Sequence, residues 1–166
     1  MSLYKVLPTT PRLDELIAAL ILNGKTHVPT KETSTILFRY EFSKHCKVIA
    51  AEIFGRIDEI KAAVTWTTVE NPNKEPAAFL LTSGRLSTMS NQIRIVVPAK
   101  RAEALNEAKL RMWKGECHEE TLLEPGMILI LEDVHFNISD DVPFFLFLFP
   151  TSALSCPGGI RSSLQV

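Results

Sequence analysis

Apolar residues recur along this chain with two different periods, and each period predicts a different element. In "TPRLDELIAALILNG" Leu13, Leu16, Ile17 and Leu20 repeat at helical spacing. Thr10 can cap that segment, Pro11 suits the first helical position and Gly24 can close it, which predicts an N-terminal helix. After the polar stretch "KTHVPTKETS" the pattern turns to alternation. "KVIAAEIFGRI" places Ile49, Ala51, Ile53 and Ile57 on one face of an extended strand, with Gly55 as a bend. "AAVTWTTVE", rich in β-branched and aromatic residues and stopped by "NPNKEP", predicts a second strand. Residues 71–92 read as a long loop carrying the apolar patch "AAFLL". "QIRIVV" reads as a third strand with Ile93, Ile95 and Val97 inward.

The helical period returns in "PAKRAEALNEAKLRMWKG", where Pro98 starts a helix, Ala102, Leu105, Ala108 and Met112 form its stripe and Gly115 stops it. Trp113 then falls in the last turn, as a packing residue. "EPGMILILEDVHFNI" predicts a fourth, long strand and "VPFFLFLF" a fifth. The expected fold is all-β with flanking helices: a five-stranded OB-fold Greek-key barrel with a helix between strands three and four and an extra N-terminal helix. Residues 1–45 would pack on the barrel, residues 46–161 form it, and residues 162–166 be a tail.

Composition narrows the function classes. The 166 residues are 46% hydrophobic and 22% charged, a globular balance, and the formal net charge of −1 leaves no global basic field to hold nucleic acid. Any nucleic-acid site must be local and must lean on stacking as well as charge. Three widely spaced cysteines, Cys46, Cys117 and Cys156, suggest neither a disulfide framework nor a zinc knuckle. "CHEE" (Cys117 to Glu120) reads as a polar loop, so no metal and no cofactor are expected. No nucleophile, base and orienting acid stand in a recognisable arrangement, which argues against an enzyme. "LIAALIL" follows acidic rather than basic residues and "FFLFLF" is too short for a membrane helix, so a soluble protein without membrane partners is expected.

Several segments together resemble the second OB domain of the protection-of-telomeres family, from about Ala50 to Arg161. They are "AEIFGRIDEIKAAVTWTTVENPN", "QIRIVV", "EPGMILILEDVHF" and "PGGIR". The resemblance implies a short, single-OB member that binds single-stranded telomeric DNA, usually G-rich, without catalysis. It implies a nuclear location at chromosome ends and a role in end protection or length regulation, with other telomere proteins as partners.

Ten residues are candidates for that groove. Phe54 and Arg56 oppose the aliphatic face of the first strand, where Phe54 either stacks on a base or packs under the N-terminal helix. Lys61 borders the groove or is a solvated lysine. Thr65 and Thr67 line the groove if Trp66 is core. Phe79 and Arg85, in the long loop, close over the strand as a lid or pack on their own protein. Arg94, outward between Ile93 and Ile95, is the leading cation and can bind a phosphate or a guanine edge. By the resemblance, His135 lies near the ligand and Arg161 matches a Gly-Ile-Arg run. The competing reading is an OB-fold protein-interaction module in a larger complex, using "FFLFLF" and the N-terminal helix as its apolar surface.

Overall fold

A computed structural model describes residues 2–64, 67–72, 74–88, 90–99, 107–139 and 141–153. The chain is mainly antiparallel β with three helices, as expected for an all-β protein with flanking helices. The strands are β1 (Tyr4–Leu7), β2 (Thr26–Val28), β3 (Ile36–Arg39), β4 (Thr67–Val69), β5 (Ala77–Ser83), β6 (Leu86–Ser87), β7 (Gln92–Pro98), β8 (Lys109–Lys114), β9 (Cys117–Leu122), β10 (Ile128–Glu132), β11 (His135–Ile138) and β12 (Phe144–Ala153). The helices are α1 (Pro11–Ala18), α2 (Lys44–Phe54) and α3 (Ile57–Ala63).

The strands form two open sheets, without barrel closure among the described residues. The larger runs β1-β10-β7-β12-β5-β3-β2, with β4 added beside the end of β12; the smaller runs β6-β11-β8-β9. Helices cover one face of the large sheet and the small sheet covers the other, giving three layers and two apolar cores. Residues of alternate parity on one strand serve the two cores. Ile93, Ile95 and Val97 of β7 face the helices while Val96 faces the small sheet; Ile128 and Ile130 of β10 face the helices while Leu129 and Leu131 face the small sheet.

The run "FFLFLF" is the centre of this arrangement. β12 pairs β7 from Phe144 to Pro150 on one side and β5 on the other, so both of its edges are paired, and the two cores cover both of its faces. Phe145, Phe147 and Phe149 enter the helix-side core, and Phe144 and Leu146 the other. A continuous apolar run, instead of an alternating one, is what such a doubly covered strand requires. Each buried phenylalanine contributes roughly 1.5–3 kcal/mol.

Several expected elements are corrected. "KVIAAEIFGRI" is helical: Ser43 Oγ accepts the Cys46 N–H (3.2 Å) as N-cap, and Cys46, Ile49, Ala50 and Ile53 form a buried stripe. Ile49 and Ile53 satisfy both periods, and the cap selects the helical one. "AAFLL" is β5, in the large sheet and not in a loop. "YKVL", "THV" and "ILFR", which lie outside the five expected strands, form β1, β2 and β3. The predicted helix 98–115 ends instead in β8, where Leu110 and Met112 are buried and Arg111 between them is exposed. "CHEE" belongs to strand β9. The long fourth strand is two strands in different sheets, β10 and β11. They are separated at Asp133 (φ +48°) and Val134, whose N–H is accepted by the buried Thr88 hydroxyl at 2.6 Å. The N-terminal helix is as expected: Thr10 Oγ1 accepts the Leu13 N–H at 3.2 Å, Pro11 opens it and Leu13 and Ile17 are buried. No helix among the described residues is long and apolar enough to cross a membrane.

Candidate nucleic-acid interface

Among the described residues, the small sheet is covered on one side only. Phe136, Ile138, Leu110 and Met112 fill the core beneath it, so the alternate residues of the same strands face outward. The hairpin β8–β9 sets the register: Gly115 takes φ +58° at the first of two turn residues, the left-handed conformation a two-residue hairpin needs and glycine adopts without strain. Lys114 then pairs Cys117, and Trp113 pairs His118.

Four outward residues consequently lie in one row across four strands: Ser87 opposite His135, His135 opposite Trp113, and Trp113 opposite His118. The Ser87 hydroxyl meets His135 Nδ1 at 2.6 Å. The Trp113 and His118 rings stack with centroids 5.4 Å apart and planes 24° apart. The Arg85 guanidinium lies over the indole, 4.1 Å from the ring centroid, a cation–π contact.

One step along the strands, Asn137, Arg111 and Glu120 form a parallel row, and Asn137 Nδ2 donates to the Gly84 carbonyl at 2.8 Å. Glu120 receives Lys109 Nζ at 3.0 Å and Arg111 Nε at 3.6 Å. The hydrogen bond from Lys109, with the charges of Lys109, Arg111 and His118, holds its carboxyl below the ordinary range. Glu120, paired with Lys109 and Arg111, is the one acidic side chain of these rows, and no ion pair among the described residues neutralises Arg85.

Of the ten expected contact residues, the structure brings two, Arg85 and His135, to this face. Phe54 ends α2 and packs edge-to-face on Phe147 (5.3 Å) and Phe149 (6.2 Å), the packing alternative under the helix layer. Arg56 pairs Glu59 at 2.8 Å and donates to the Pro8 carbonyl, with its side chain 11% exposed, so it ties α3 to the segment before α1. Lys61 lies in α3, not at the start of a strand, and its Nζ donates to Asn71 Oδ1 at 3.4 Å. Phe79 sits in β5, tilted on Phe144 at 6.2 Å, on the small-sheet side of the large sheet. Thr67 pairs Ala153 at the margin of the large sheet. Thr65, Trp66 and Arg161 lie outside the described residues.

Arg94 is not on an outward groove floor. It stands within the large sheet between Leu131 and Leu148, its Nε buried without a partner, and burial lowers its affinity for a proton. The residues missed are Trp113, His118, Lys109 and Arg111. Their signal was the strict alternation K-L-R-M-W-K ahead of a Gly-Glu turn, which a helix does not need and a hairpin does. Along β9, neighbouring residues point to opposite faces, so "CHEE" does not converge on one ion, and no group of three metal-capable side chains occurs among the described residues.

In comparisons with known proteins, the chain matches no family model, no curated protein and no solved structure. What fold and site define is a class: a three-layer antiparallel protein that, among the described residues, leaves one sheet face open, with an indole, two imidazoles and three cations on it.

Proposed function

We propose that the protein binds single-stranded nucleic acid on the outer face of the small sheet. The observation that carries this reading is the Ser87–His135–Trp113–His118 row with Arg85 over the indole and Arg111 and Lys109 one step away. Flat rings at strand spacing accept unstacked bases, which a duplex does not offer, and cations beside them meet the phosphates between those bases. Stacking on one aromatic contributes about 1–3 kcal/mol per base. An incoming base displaces Arg85 from the indole and leaves its guanidinium beside the base's own phosphate.

Telomeric DNA is the narrower form of this proposal, and an OB groove is its structural premise. The segment that carries that resemblance most fully, "AEIFGRIDEIKAAV", folds as α2 and α3, so the proposal rests on the open face and not on that hairpin. A role as an interaction module has its own support: β9 is an edge strand and its Leu122 is 57% exposed. All of "FFLFLF" but the half-buried Leu148 is buried, so the run offers no such surface.

Fluorescence anisotropy separates these readings, with G-rich telomeric repeat, its C-rich complement, a scrambled single strand and a duplex as probes. Single strands binding better than duplex, with loss in Trp113→Ala, is the expected result. A preference for the G-rich strand would support the telomeric form. Binding to none of the probes would overturn the nucleic-acid reading and favour a protein partner.

A further inference from the structure

The strands that end the two sheets differ in what keeps them from pairing further. β2 has three residues and is followed by Pro29, β1 carries Lys5 and is followed by Pro8, and β6 has two residues. Shortness, lysine and proline are the means by which an edge is kept from another chain. β9 has none of them. It runs for six residues, "CHEETL", with no proline, no lysine and no break in its register against β8.

Its backbone is open to match. The Leu123 N–H donates to the Ala108 carbonyl at 2.9 Å, so the odd-numbered residues of β9 turn their backbone groups toward β8. His118, Glu120 and Leu122 turn theirs to the free edge, where the one contact among the described residues is the Thr121 hydroxyl, 3.4 Å from the Leu122 carbonyl. Side chains leave this edge clear: Lys109 and Arg111 draw Glu120 back over β8, and Leu122 stands 57% exposed. Three such residues, two apart, are symmetric about the middle one. A two-fold axis at Glu120 therefore sets His118 against Leu122 of a second copy, and the reverse, with about six hydrogen bonds between them. Each Leu122 then covers the other copy's His118 imidazole, which Trp113 backs. The two Glu120 carboxylates nearest the axis are each neutralised by two cations of their own chain, and a net charge of −1 adds little repulsion. Sliding the copies by two residues would instead place Leu122 beside the turn residue Glu116.

We propose that β9 pairs antiparallel with β9 of a second copy about a two-fold axis at Glu120, joining the two four-stranded sheets into one. The partner follows from the edge itself: a second β9 satisfies all three open positions and brings the apolar side chain and the ring that cover each other. Both Trp113 faces then lie on the same side, with the indoles three strand spacings apart, about 14 Å. The pairing uses the edge and not the indole, so it stands or falls separately from nucleic-acid binding.

Sedimentation equilibrium and amide hydrogen exchange on the full chain test it, with wild type, Glu120→Pro, Leu122→Lys and Trp113→Ala. Wild type should be a dimer in equilibrium with monomer, and exchange at His118, Glu120 and Leu122 should slow as concentration rises. Glu120→Pro removes an N–H that points to the edge and none that β8 uses, so it should fold and weaken the dimer by about tenfold or more. Leu122→Lys keeps every backbone group and should weaken it by a similar factor. Trp113→Ala should stay dimeric whatever its affinity for a single strand. A wild type that is monomeric even at millimolar concentration would overturn the proposal. So would a dimer that both Glu120→Pro and Leu122→Lys leave intact, or one whose β9 amides exchange as in the monomer. A monomer whose β9 amides slow only when the peptide Thr-Val-Thr-Val-Thr-Val is added would overturn self-pairing and give the edge to another protein.

Discussion

The helix-covered face of the large sheet and the outer face of the small sheet are built from the same kind of strand, with opposite consequences. On the first, α1, α2 and α3 roof Ile93, Ile130, Phe145, Phe147 and Phe149, and the aromatic and basic residues at the margin, Phe54 and Arg56, are taken up in packing and ion pairing. On the second no layer of helix or sheet among the described residues lies above Trp113, His118 and His135, and the Arg85 side chain turns onto the indole. Carboxyls mark the same division. Asp14 in α1 is held above its ordinary range by burial, whereas exposed Glu120 is held below it by Lys109. An aromatic residue is available to a partner only where the layer above its sheet is missing.

The most severe way to break the comparison is on the covered face. Phe147→Ala should cost about 3–5 kcal/mol through lost contact and the cavity left against Phe54. Chemical denaturation reads this, and a loss under 1 kcal/mol would mean that the helix layer is not packed as described. Trp113→Ala should do the reverse, weakening single-strand affinity by about 1–3 kcal/mol, roughly 5- to 150-fold, with the melting temperature nearly unchanged. If it melts early and binds normally, the two faces have exchanged roles. Arg85→Ala should weaken binding by a few-fold and reduce the magnitude of the log K against log salt slope by about one. Arg94→Met, which removes an unpartnered buried guanidinium nitrogen, should leave that slope unchanged.

The smallest expected effect is in acid. Asp14 and Glu132 have folded pKa values raised above the ordinary 3.8 and 4.5 by burial. As pH rises through that window the unfolded chain loses these protons first, so their contribution to stability falls with rising pH. Glu120, lowered in the fold, contributes in the other direction and loses its part as pH falls below 4.5. Thermal melts of wild type and Glu132→Gln between pH 4 and 7 should therefore differ in slope, wild type losing more stability as pH rises. Parallel curves would mean that Glu132 is solvated.

Local chemistry made much of the large sheet readable. Ile93, Ile95 and Val97 alternate without ambiguity, and the apolar run from Phe144 to Phe149 has no polar residue to permit an exposed face. Thr10 and Pro11 announce α1 in a way no strand would. Failure came where one set of residues satisfied two periods. Ile49 and Ile53 lie four apart, which puts them on one side of a helix and of a strand alike, and Ser43, which settles the matter by capping Cys46, lies outside the segment that looked like a strand. Trp113 was misread for the same reason: the Ala, Leu and Glu before it favour a helix, while its strand depends on pairing with His135, far along the chain.

By itself, then, the sequence determined the β-rich class, the capped first helix and the buried strands β7 and β12, because each follows from hydrogen bonding or burial within a few residues. Only the tertiary structure decided which outward side chains share a surface. Trp113, His118 and His135 come from three strands and Arg85 from the residue before a fourth, and their meeting depends on register between segments that no local period encodes. That a layer covers Phe54 and none among the described residues covers Trp113 is likewise a property of packing between distant elements.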